Sequence, residues 1–128
     1  MVDKKQIHVM LVEDDEFLSD IYKKKFEMEG FKITYADNGE KGLEEIKKKK
    51  PDIVLLDILM PKMDGFTVLE KLKEDEKTKN IPVILLTNLG QKDDIEKGKE
   101  KGAIDYLIKA HFKPSEVVDK IKEVLGKK

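Results

Sequence analysis

At 128 residues the chain has room for one domain with a buried core and too few residues for two ordinary ones. Its 26 basic side chains are all lysine, set against 27 acidic ones for a net charge of −1, which is not the footprint of a nucleic-acid binder. The absence of cysteine excludes disulfides, thiolate metal sites and cysteine nucleophiles, and the early apolar run VMLV is far too short for a signal-peptide core or a membrane span, so a soluble cytoplasmic protein is expected.

Short runs of branched apolar residues alternate along the chain with longer amphipathic segments, the pattern of βαβ units around a parallel sheet. The first strand is predicted over 7–12 (IHVMLV) and closes on Glu13, Asp14 and Asp15. Leu18, Ile21, Tyr22 and Phe26 then recur at helical spacing. A second strand over 32–36 (KITYA) leads to a helix over 38–50, which opens on Asn38 and Gly39 and ends in four lysines before Pro51, as suits the negative end of a helix dipole. The third strand, 52–57 (DIVLLD), is apolar until it stops on Asp57. Asp64 is the natural cap of the next helix, which begins near Gly65 and carries Phe66, Leu69 and Leu72.

The fourth strand, 82–87 (PVILLT), closes on Thr87. The helix predicted over about 92–101 has Ile95 as its one strong apolar anchor and glycines at 98 and 102, so it is expected to be the most mobile element. The fifth strand is predicted over 103–109 (AIDYLIK), with Ile104, Tyr106 and Ile108 on one side. Val117, Val118, Ile121, Val124 and Leu125 mark the last helix. The whole reads as a single domain, 1–128, with a core from about 6 to 125.

In a parallel sheet every strand points the same way, so strand-closing residues gather along one edge, where open α/β sheets bind ligands. That edge receives Glu13, Asp14, Asp15, Asp57, Thr87 and Lys109. Asp14 or Asp15 alone could simply cap a helix, but Asp57 lies too early in the chain to cap one. Clustered carboxylates repel one another and raise each other's pKa unless a counter-charge intervenes. A hard divalent cation resolves the conflict, and Mg²⁺, which takes one or two carboxylates together with phosphate oxygens, suits Glu13, Asp14 and Asp57. No histidine is placed to favour zinc. His8 lies within the first strand and His111 after the fifth. Beside a metal, Asp57 can attack a phosphoryl group as a carboxylate nucleophile, with Lys109 and the Thr87 hydroxyl directed at oxygens of the transferred group.

LVEDDE, DIVLLDILMPKMDG, PVILLT and YLIK, in this order and spacing, resemble the receiver domain of bacterial two-component response regulators over essentially the whole chain, and in size the stand-alone chemotaxis receiver. The resemblance implies a doubly wound five-stranded parallel sheet of flavodoxin-like order 2-1-3-4-5, with helices on both faces. It implies that Asp57 accepts a phosphoryl group from the phosphohistidine of a sensor histidine kinase or phosphotransfer protein. Asp14 would bind Mg²⁺ directly, Glu13 through water, and the backbone carbonyl of Leu59 would complete the site; Asp15 would cap the first helix.

By the same resemblance, Thr87 would swing toward the phosphate and Tyr106 would turn inward, presenting the α4–β5–α5 face to a downstream protein partner. No direct nucleic-acid or membrane contact is implied, and the state is a monomer or a phosphorylation-dependent dimer. The residue after Lys109 is Ala110 where the family usually has proline. A trans Lys109–Ala110 bond is expected, since a cis non-proline bond costs roughly 2.5–4 kcal/mol. Leu59 and Leu89, with Asn88, would stand at the mouth of the path a hydrolytic water must take, and neither leucine can orient a water. A long-lived phosphoryl group is therefore expected. The alternative reading is a receiver-like protein-interaction module that is never phosphorylated. A dehalogenase-type phosphatase would need a second aspartate where Leu59 stands, and a dinucleotide fold would need a glycine-rich turn in place of Glu13–Asp15.

Overall fold

The computed structural model describes residues 6–60, 62–87, 92–109 and 113–126. Ten elements alternate in chain order: β1 (His8–Val12), α1 (Glu16–Met28), β2 (Lys32–Ala36), α2 (Gly39–Lys49), β3 (Ile53–Asp57), α3 (Gly65–Glu74), β4 (Val83–Thr87), α4 (Lys92–Glu100), β5 (Asp105–Ile108) and α5 (Pro114–Gly126). All pairings are parallel and the strand order is β2-β1-β3-β4-β5, as expected.

The period-two alternation of the strands divides the core between the two faces of the sheet. Met10, Val12, Val54, Leu56, Val83 and Leu85 face one way and pack with Leu43 and Ile46 of α2 and Phe66, Leu69 and Leu72 of α3. Val9, Leu11, Ile53, Leu55, Ile84 and Leu86 face the other way, onto Tyr22 and Phe26 of α1 and Val117, Val118 and Ile121 of α5. β3 is central and buried at all five positions, which explains why its sequence is apolar on both faces.

Local chemistry sets the helix ends. The side chains of Asp15, Asn38 and Asp64 accept the backbone N–H of Leu18, Lys41 and Thr67 at 3.1, 2.8 and 2.9 Å, so each satisfies a donor that the first turn leaves free. Two helices stop on left-handed glycines. After α1, Gly30 (φ 87°) donates to the carbonyl of Glu27 and Phe31 to that of Phe26. After α4, Gly102 (φ 110°) donates to Lys99 and Ala103 to Gly98, the same paired closure.

The fifth strand is shorter than predicted. It runs only Asp105–Ile108, because the Ala103 N–H closes α4 on the Gly98 carbonyl; Ile104 donates its N–H to the Val83 carbonyl of β4, but it lies outside the strand and its side chain is exposed. Among the described residues, no helix is long and apolar enough to cross a membrane.

Candidate functional site

The C-terminal ends of β1 and β3 are adjacent, with Val12 opposite Leu56. The residues that follow therefore meet. Carboxylate oxygens of Glu13, Asp14 and Asp57 all lie within 4.8 Å of one another. Glu13 is fully buried and Asp57 is 5% exposed, whereas Asp14 faces solvent. Lys109, just past β5, reaches across β4's end to the same point. Its Nζ stands 2.5 Å from Glu13 Oε1 and 3.4 Å from Asp57 Oδ1.

Several contacts hold these groups in place. The Asp15 backbone N–H donates to Glu13 Oε2 at 3.0 Å, so the acidic turn closes on its own side chain. Buried Ser19 of α1 directs its hydroxyl at the Glu13 carbonyl at 3.5 Å. On the β3 side, the Gly65 N–H donates to the Ile58 carbonyl at 2.8 Å. A Cβ at Gly65 would stand 2.3 Å from the Asp57 carbonyl oxygen, so only glycine lets α3 start against the backbone of Asp57. The sequence reading took Gly65 as a helix start and missed this role. Its only sequence signal was a glycine directly after the cap Asp64. Gly39 is a second missed residue: its Cβ would fall 1.9 Å from the Met63 carbonyl oxygen, so α2's first turn is pressed onto the loop that follows β3.

The electrostatics are unbalanced. Burial first, and the Glu13 charge second, push the Asp57 carboxyl up to about 7, against the opposing pull of Lys109. The same Glu13 charge, after burial, helps push the buried Tyr22 phenol of α1 up to about 12. Three carboxylates against one ammonium leave negative charge in excess, with the Lys109 ammonium paired directly to the buried Glu13 Oε1. An oxygen-only donor set that converges within 4.8 Å with surplus negative charge fits a hard divalent cation.

The remaining predicted residues divide. Thr87 ends β4, paired with Ile108, and its side chain lies outside the described residues. Asn88, Leu89 and the Lys109–Ala110 bond also lie outside them. Leu59 is 60% exposed in the loop after β3. Tyr106 lies opposite Leu85, half-buried against the core on the α2 and α3 face, with the Lys99 ammonium 5.8 Å from its ring centre. His8 is remote from the site, at the start of β1; its Nε2 is 2.8 Å from Thr34 Oγ1, and burial lowers its pKa, with Lys32 adding to the effect.

A doubly wound sheet with an acidic pocket at this edge defines a class, and comparison with known proteins identifies the family within it. The model for the response regulator receiver domain matches residues 9–122, and the chain belongs to that family, whose members act as phosphoacceptors in two-component signalling. The chain is 38% identical over 117 residues to the DNA-binding dual master transcriptional regulator RpaA of Synechocystis, a match spanning 91% of this chain and 48% of RpaA. It thus spans about half the length of such curated relatives. Among solved structures, it superposes on a chain of the CheX–CheY–BeF3–Mg complex of Borrelia burgdorferi with a TM-score of 0.85 and 33% identity, covering 92% of this chain and 88% of that one. It superposes on the receiver domain of Francisella response regulator 1452 with a TM-score of 0.84 and 30% identity, covering 91% and 94%.

Proposed function

We propose that Asp57 is the phosphoacceptor of this receiver domain. The donor is a phosphohistidine on a sensor histidine kinase or a phosphotransfer protein. The observation that carries the reading is the convergence of the Glu13, Asp14 and Asp57 carboxylates within 4.8 Å, with the Lys109 ammonium 3.4 Å from Asp57 Oδ1. An Asp57 oxygen attacks phosphorus, the bond from phosphorus to the imidazole nitrogen breaks, and the imidazole leaves with its electron pair. Glu13, Asp14, Asp57 and the Leu59 carbonyl would hold Mg²⁺, which supplies charge neutralisation on the phosphoryl oxygens when bound. The crystallised Borrelia complex, named for Mg²⁺ and BeF3, supports this cofactor by likeness. Lys109 lies close enough to follow the charge as it moves onto the transferred group.

Thr87 and Tyr106 then carry the change to the α4–β5–α5 face, where a downstream protein binds. The domain itself makes no direct contact with nucleic acid or membrane, and it works in the cytoplasm as a monomer or a phosphorylation-dependent dimer. Leu59, Asn88 and Leu89 set the lifetime of the phosphoryl group. The test is intact mass after incubation with acetyl phosphate, with and without Mg²⁺. One phosphate on the wild type with Mg²⁺ and none on Asp57→Asn supports the reading. No phosphate on the wild type would favour a receiver-fold interaction module.

A further inference from the structure

α4 is attached to the protein in an unusual way. Of its described side chains none is buried: the one buried position is Gly98, and Ile95 is only half-buried. Gly98 lets the helix sit directly on β4, since a Cβ there would come 2.4 Å from Leu85 Cδ1. A glycine contributes no apolar side chain of its own, however, and lowers helix propensity at mid-helix. What the helix has instead is lysine. Lys97 places its ammonium 4.6 Å from the ring centre of Phe66 on α3. Lys99 stands 5.8 Å from the ring centre of Tyr106 on β5, and Lys101, at the helix end, pairs with Glu70 of α3.

We propose that Lys97, Lys99 and Lys101 form an electrostatic clamp that holds α4 on α3 and β5 in place of an apolar face. The three contacts point to two different neighbours, so together they fix both the tilt and the height of the helix. Each is weak alone, since Lys97 and Lys99 are exposed and Lys101 half-buried, and all three are open to screening by salt. Their sum is comparable to the free energy of a local opening, about a factor of ten in the equilibrium between docked and released α4. The Lys99 contact also holds the Tyr106 ring on the α4 side, so release of the helix and freedom of that ring are linked. This deepens the reading of α4–β5–α5 as the face that switches and rests on it for its consequence. The clamp itself can be tested without any phosphoryl chemistry.

The experiment is amide hydrogen exchange on the full chain, comparing the wild type with a triple variant, Lys97→Gln, Lys99→Gln and Lys101→Gln, and with the corresponding triple arginine variant. Glutamine has nearly the helix propensity of lysine, so loss of protection cannot be put down to propensity. Amides of 95–101 should exchange about tenfold faster in the glutamine variant, while those of β1 and β3 stay unchanged. Arginine keeps both the charge and the ring contact and should stay within about twofold of the wild type. At about 0.5 M salt, where screening shortens to roughly 4 Å, wild-type α4 should move toward the glutamine variant.

Equal α4 protection in the wild type and the glutamine variant overturns the clamp, as does a loss of protection spread evenly over α4 and the central strands. A further arm with Mg²⁺ and beryllofluoride separates the two ideas. If that treatment leaves α4 exchange unchanged while the glutamine variant still loses protection, the clamp stands and the switching reading fails.

Discussion

Removing the charge of Asp57 should stabilise the metal-free protein, and increasingly so as pH rises. The carboxyl is 5% exposed, and burial together with the Glu13 charge carries it from 3.8 to about 7 in the folded state. The folded protein therefore binds this proton more tightly than the unfolded chain does. Below pH 3.8 the group is neutral in both states and imposes no penalty. Between 3.8 and about 7 the unfolded chain gives up its proton first, and the fold loses on the order of 1 kcal/mol per pH unit. Above about 7 the penalty is constant, with a ceiling on the order of 4 kcal/mol.

Asp57→Asn removes that penalty but also deprives Lys109 of one of its two partners, which reduces the gain. A net stabilisation of about 1–3 kcal/mol at pH 8 follows, or a rise of roughly 4–10 °C in Tm for a domain of this size. The assay is thermal unfolding in a chelator at intervals from pH 4.5 to 8.5, followed by a repeat with Mg²⁺. The difference between variant and wild type should be small at the acid end, grow with pH and level off above about 7. Added Mg²⁺ should stabilise the wild type at pH 8 much more than the variant. A difference independent of pH, or an asparagine variant less stable than the wild type at pH 8, would refute the account of an energetically costly buried acid.

Gly65→Ala should lower stability by about 1–3 kcal/mol in chemical denaturation and slow phosphorylation by acetyl phosphate, because its Cβ would meet the Asp57 carbonyl oxygen at 2.3 Å. Asn38→Ala removes the α2 cap and should cost about 1 kcal/mol with no change in phosphorylation rate. Glu13→Gln should weaken Mg²⁺ binding, read by titration calorimetry, since it removes one of three convergent charges. Leu59→Asn combined with Leu89→Glu should hasten decay of the phosphorylated protein, because both changes offer groups that can orient a water on its way to phosphorus. Equal decay rates would assign the lifetime to something else.

Strand and helix identities could be read from the sequence because each rests on local physics. Ile53 to Leu56 are apolar on both faces because β3 is central, and Asp15, Asn38 and Asp64 stand where first-turn N–H groups need acceptors. The gathering of Glu13, Asp14, Asp57 and Lys109 followed from the common direction of parallel strands. What escaped were contacts between segments distant in sequence. Nothing local to Gly39 announces that its α-carbon lies against Met63, and nothing local to Lys97, Lys99 and Lys101 announces the Phe66, Tyr106 and Glu70 side chains beside them. Periodicity reports which face of a helix is apolar. It is blind to a helix held by charges at the margins of that face.

The placement of Glu13 and Asp57 in the interior ties the chemistry to the fold. A surface pair of carboxylates would be hydrated and nearly indifferent to a cation, whereas a buried pair that Lys109 only partly compensates makes the site selective for added positive charge. In the transfer proposed for Asp57, the anionic carboxylate oxygen would become part of an acyl phosphate that bears its charge farther out, on the phosphoryl oxygens. That displacement of charge falls beside β5, one strand from Tyr106 and from a helix that electrostatic contacts hold down. In the proposed reading, a change in charge at the acidic edge would be felt at α4, which buries no side chain among its described residues.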